Sequence, residues 1–132
     1  MNNVAALIEL TMASSHALSE GSLQLEQRPG IASRRFFRDQ MGNTAAAVLT
    51  QVAAAQELSR SGYFSRLEAL ALLHGARKSA GQLKELLRAA ESRRYADLHE
   101  LGKVSEKCDE TVAMLLASTV ALRGETQAGT PS

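Results

Sequence analysis

The sequence predicts an all-α fold, an antiparallel up-and-down four-helix bundle, on three observations. Four segments carry apolar residues at steps of three and four, the spacing that gathers side chains on one face of a helix. Only 4% of the 132 residues are aromatic and none is tryptophan, while alanine and leucine fill the interior, which favours close helix packing over a sheet sandwich. There are two prolines, both near segment ends, so the helical runs are long and uninterrupted. The length suits one domain over residues 1–124, followed by a flexible polar tail at 125–132.

The segment from Ser61 to Arg94 organises the rest. Ala69, Leu73, Ala76, Ala80, Leu83, Leu87 and Ala90 form its stripe, widened by Leu70, Leu72 and Leu86. About 30 residues make a rod of roughly 45 Å, which cannot bury such a stripe alone. Ser61, or Ser65 with Glu68 three residues on, is the expected N-cap. Gly75 and Gly81 inside the segment suggest close approach by a neighbouring helix, offsetting their poor helix propensity.

The other segments cover that stripe. The first, Asn3 to Glu26, carries Val4, Ile8, Thr11, Ser15, Leu18, Ser22 and Leu25, a weaker seam because of its hydroxyls, with Gly21 expected to loosen its last turns. Pro29-Gly30 is expected to end it in a turn. The second runs from Ser33, the expected N-cap, to Leu58, with Phe37, Met41, Ala45, Val48, Val52 and Ala55 as its stripe. Residues 92–96 turn the chain, and Asp97 with Glu100 forms a capping-box-like pair. The last segment shows an a/d heptad seam, Leu98, Leu101, Ser105, Cys108, Val112, Leu115, Thr119 and Leu122, with Gly124 placed as a C′ glycine. Short links between long helices imply antiparallel neighbours.

Composition narrows the function classes. With one cysteine, Cys108, no intramolecular disulfide can form, and a cytoplasmic chain is expected. The amino-terminal stretch lacks the positive region of a signal peptide, and Glu9 interrupts its apolar run. The uncharged stretch Gln40 to Gln56 is too short and too polar to span a membrane. No Glu-x-x-His pair, phosphate-binding glycine loop, H-E-x-x-H or C-x-x-C pattern occurs. His16, His74 and His99 lie on three different segments and read as solvated side chains. Cys108 lies on an apolar seam, where cysteine behaves as a small hydrophobe. A chain that is not an enzyme, with no cofactor and no metal, is expected, and a small-molecule pocket lacks convergent polar groups.

Charge is unevenly spread. Residues 1–27 carry three acids and no Lys or Arg. Residues 28–94 carry twelve Lys or Arg against five Asp or Glu. Residues 95–132 carry three against six. Acidic ends neutralising a basic middle within one bundle is one reading; a basic face meeting a polyanion is the other. If the second and third segments are antiparallel, Arg34, Arg35 and Arg38 share one end of the bundle with Arg88, Arg93 and Arg94. Six arginines there make a candidate nucleic-acid-binding patch. Only Phe36, Phe37 and Tyr95 lie near it as stacking rings, so recognition of shape and charge is expected rather than of sequence. The rival expectation is a structural or protein-interaction module, a scaffold whose charges serve subunit or partner contacts.

From Phe37 onward the chain resembles the 23S rRNA intervening-sequence protein family. The residues that carry the resemblance are Gln40-Met41, the alanine-rich run ending in Gln51-Val52-Ala53-Ala54-Ala55, then Arg60-Ser61 and Phe64, with Ala80, Leu83 and Leu86 in a packing run. Gln51, Ala54 and Ala55 replace the family's Asn, Glu and Gly, and Thr50 stands where proline is common. The resemblance spans residues 5–124. It implies a four-helix bundle assembled as a homopentamer. It also implies kinship with the accessory protein of diversity-generating retroelements, which binds RNA and a reverse transcriptase.

Overall fold

The computed structural model describes residues 3–128. Among these it contains five helices and no strand: α1 (Asn3–Glu26), α2 (Pro29–Ala32), α3 (Arg35–Ser59), α4 (Tyr63–Arg93) and α5 (Leu98–Ala128). Each long helix packs extensively on two others: α1 on α3 and α5, and α4 on α3 and α5. No helix of the described residues is long and apolar enough to cross a membrane.

The expected stripes are the buried ones. All seven α4 residues from Ala69 to Ala90 are fully shielded from water, as are Met41, Val48, Val52 and Ala55 of α3. Phe37, Leu70, Leu72 and Leu86 pack against this core at its margin. The seven α1 residues are buried too, hydroxyls included. Buried hydroxyls need partners, and here each finds one. Thr11 Oγ1 donates to the Leu7 carbonyl at 2.7 Å and lies 2.8 Å from Ser118 Oγ, while Ser15 Oγ donates to the Thr11 carbonyl. Ser14 Oγ and Thr111 Oγ1 are 2.7 Å apart across the same seam. Residue order runs oppositely on the two helices: Thr11 meets Ser118, Ser14 meets Thr111, and Gly21 lies beside Val104.

Between α4 and α5, Cys108 Sγ donates to the Ala80 carbonyl at 3.2 Å. Lys84 Nζ, mostly withdrawn from water, bonds the Ser105 hydroxyl and the Asp109 carboxylate at 2.9 Å. Lys84 is therefore part of the packing and not of a basic surface.

Several expectations are corrected. Pro29-Gly30 opens a one-turn helix rather than a simple turn. Proline at N1 has no N–H to leave unsatisfied, and the fully buried Ile31 anchors the turn. Ser33 is the C-cap of α2, so α3 starts at Arg35 with Arg34 before it. Neither Ser61 nor Ser65 caps α4: Gly62, in extended conformation, holds that position, and its carbonyl accepts from Arg66 N–H at 3.0 Å. Asp97 does cap α5, its Oδ2 accepting from Glu100 N–H at 3.1 Å.

The α5 seam is shifted from the heptad reading. Leu98 is exposed and Ser105 and Val112 are half-buried, whereas Val104, Thr111 and Ser118 are buried. The buried residues Leu101, Val104, Cys108, Thr111, Leu115, Ser118 and Leu122 keep the three-four spacing in the neighbouring register, where Thr111 and Ser118 meet the hydroxyls of α1. Gly124 ends nothing, because α5 continues through it to Ala128. Of the expected tail, residues 125–128 are thus helical and residues 129–132 lie outside the described residues.

The glycines divide sharply. Gly21 does not loosen α1, which stays helical to Glu26; a Cβ there would stand 3.1 Å from Val104 Cγ2. The space over Gly75 holds the Gln51 amide, 2.7 Å from where a Cβ would be, while Gln51 Oε1 accepts from Ser79 Oγ at 3.0 Å. Gly81 has open space and no close neighbour, contrary to expectation. A Cβ on Gly30 would collide with the Tyr95 carbonyl, a backbone group that cannot swing aside. Gly81→Ala is therefore expected to stabilise the protein by about 0.5–1 kcal/mol through helix propensity alone. Gly30→Ala is expected to cost about 1–3 kcal/mol as an overpacked contact. Urea denaturation of both variants checks the opposite signs.

Candidate nucleic-acid interface

The end of α4 builds the candidate site. Arg94 follows its last turn with φ 55°, the one positive φ outside glycine among the described residues. Arg94 N–H bonds the Glu91 carbonyl at 3.2 Å and Tyr95 N–H bonds the Ala90 carbonyl at 3.0 Å. This pairing is a Schellman ending, a place where glycine is usual and a side chain costs about 1 kcal/mol. The left-handed residue turns the chain sharply and sets Tyr95 against the start of α3.

Tyr95 is then held from four sides. Its carbonyl sits against Gly30 of α2. Its ring meets Phe37 edge-on, centroids 5.2 Å apart at 84°. The Arg34 guanidinium lies 4.0 Å from its ring centroid, a cation–π geometry. Arg93 Nη1 donates to its hydroxyl at 3.4 Å. That bond, followed by the charges of Arg93 and Arg34, holds the phenol below its ordinary value near 10. Arg34 is fixed further by donating to the Gly30 carbonyl at 2.6 Å.

An open groove of about 510 Å³ results, lined by Arg34, Arg35, Phe36, Gln40, Arg93 and Tyr95 together with the edge of Phe37. The structure thus brings Arg34, Arg35 and Arg93 of the six candidate arginines to one concavity. Arg38 turns away from it: its Nη2 is 3.6 Å from Asp39 Oδ1, and its charge also acts on Glu26. The Glu26 carboxyl is nevertheless pushed above its ordinary range, mainly by burial. Arg88 pairs with Glu85 at 3.5 Å, one turn back on α4. Arg94 is exposed beside the groove and does not line it. Among the described residues, none of Arg34, Arg35, Arg93 and Arg94 has an ion-pair partner.

Two contributors were missed by the sequence reading. Arg28 braces this end through Glu100, Nη2 to Oε2 at 2.6 Å, joining the α1–α2 link to α5. Gly30 admits the Tyr95 backbone; the Pro-Gly pair was the visible signal, yet it pointed only to a turn. His16, His74 and His99 are all exposed, and the described residues hold no group of three His, Cys, Asp or Glu placed to bind a metal ion. Compared with protein-family models, with curated proteins and with solved structures, the chain matches none.

Burial raises the Cys108 thiol from 9.0 to about 11, despite the opposing charge of Lys84. Its folded value lies above its unfolded one, so the neutral thiol's contribution to stability is complete below pH 9 and is lost as pH rises through about 11. Iodoacetamide at pH 8 is expected to label Cys108 far more slowly in the native protein than in urea. Cys108→Ala is expected to lose less stability than the parent between pH 9 and pH 11. Equal labelling rates in the two solvents would contradict the burial of this thiol.

Proposed function

We propose that this chain is a non-enzymatic, antiparallel up-and-down four-helix bundle that binds nucleic acid, RNA foremost, through its arginine-bearing end. Opposite residue order in the α1–α5 contacts, and the packing of each long helix on two others, support the bundle reading. The observation that carries the function is Arg34, Arg35 and Arg93 converging on one open groove with no carboxylate partner among the described residues. Unneutralised guanidinium groups, those of Arg34 and Arg93 held against Tyr95, are matched to phosphate oxygens. The resemblance to the intervening-sequence proteins supports the same reading, with a reverse transcriptase as an accompanying partner.

A second reading is favoured by one feature. The outward face of α5 exposes Ala113, Leu116, Ala117 and Val120 at helical spacing. Such a stripe suits contact between copies, so the bundle is proposed to act as a homo-oligomer, with five copies implied by the resemblance. Light scattering at two salt concentrations tests this. A scattering mass equal to one chain at both would rule it out.

Fluorescence anisotropy with labelled RNA of unrelated sequences tests the main reading. Binding is expected to weaken steeply with salt. Combining Arg34→Ala, Arg35→Ala and Arg93→Ala is expected to weaken all sequences alike and to reduce the slope of log K against log salt by about two. Absence of binding at low salt would overturn the proposal. Arg35→Ala alone is the cleanest variant, since Arg35 makes no hydrogen bond or ion pair within the described chain that its loss would break.

A further inference from the structure

We propose that the arginine groove takes an unpaired nucleotide, with its base stacked on Phe36 and its phosphates held by Arg34, Arg35 and Arg93. This rests on the reading that this end binds nucleic acid, and it specifies the form: single-stranded rather than duplex. Phe36 is 77% exposed, although its neighbour Phe37 is packed against Tyr95. Burial therefore does not account for a phenyl ring at this position. Phe36 lies on the first turn of α3 directly after Arg35, and both line the groove.

The other rings are already engaged. One contact to Tyr95 comes from the Arg34 guanidinium over its ring and another from Phe37 edge-on. Phe36 has no ring partner among the described residues, whereas Tyr63 and Phe64 pair with each other at 5.4 Å. A free ring beside unpaired guanidinium groups is the combination that single-strand binders use, stacking with electrostatic tracking of the backbone. Gln40, also lining the groove, offers an amide donor and acceptor to a base edge. The volume of about 510 Å³ falls among sites that take small organic groups. Bases within a duplex are stacked on one another and cannot reach the ring.

The 132-residue sequence has no tryptophan, so Phe36→Trp supplies a single reporter at the proposed contact. Its fluorescence is expected to be quenched on titration with oligo-U and oligo-A. A duplex RNA of equal length is expected to leave it unchanged. Phe36→Ala is expected to weaken single-strand binding about tenfold with the salt slope unchanged, whereas Arg35→Ala lowers both affinity and slope. Thermal melting of both variants should match the parent, because both side chains are exposed.

Unchanged single-strand affinity in Phe36→Ala, with Arg35→Ala still defective, would overturn the stacking proposal and leave the nucleic-acid reading standing. Equal affinity for single strand and duplex would do the same. A Phe36→Ala variant that loses self-association but not RNA affinity would assign the ring to a contact between copies, again overturning it. No binding of either RNA at low salt would remove both readings together.

Discussion

The buried stripe of α4 is the constraint on which the rest of the structure depends. Its seven residues are four alanines and three leucines, and each is wholly shielded. Leucines 73, 83 and 87 each contribute about 1.5–3 kcal/mol by leaving water. The alanines between them leave room for α3 and α5 to lie alongside. A 31-residue helix spans roughly 45 Å, so the stripe also fixes the distance between the Gly62 end and the Tyr95 end. What happens at one end is held apart from the other by a stiff element.

The opposite side is built with different chemistry. Where α1 meets α5, serine and threonine replace much of the aliphatic content, and their hydroxyls bond preceding carbonyls or one another. Such bonds have small net worth when made and a real penalty when broken. They add little to stability, but they have direction, and a slip of one helix along the other would leave several hydroxyls unpaired. The apolar stripe of α4 thus drives burial, while the hydroxyl seam sets register.

Tyr95 joins these two roles to the candidate site. A left-handed Arg94 turns the chain, Gly30 admits the Tyr95 backbone, and Phe37 and Arg34 close over the ring. Placing arginine where glycine would be easier keeps a cation at the rim of the groove at a modest cost in backbone energy. The same cluster orients Arg34 and Arg93 toward one concavity. Function, as proposed, draws on groups whose positions follow from packing rather than from mutual charge.

Periodicity alone determined which residues of α1, α3 and α4 would be buried, because a 3.6-residue repeat maps sequence spacing directly onto a helix face. The arginine positions, with the second and third segments taken as antiparallel, pointed to the end where Arg34, Arg35 and Arg93 line one groove. Helix starts were less legible: Ser33, Ser61 and Ser65 are good caps by residue type, yet backbone geometry around Ile31 and Gly62 placed the ends elsewhere. On α5 two overlapping three-four stripes share Leu101, Cys108, Leu115 and Leu122, and spacing does not choose between them; the fold buries the one through Val104, Thr111 and Ser118, whose hydroxyls meet those of α1. Only the tertiary structure decided which arginines converge. Arg34, Arg35 and Arg93 share a groove, whereas Arg38 and Arg88 are turned toward nearby carboxylates, because side-chain direction depends on the partners that the fold brings within reach.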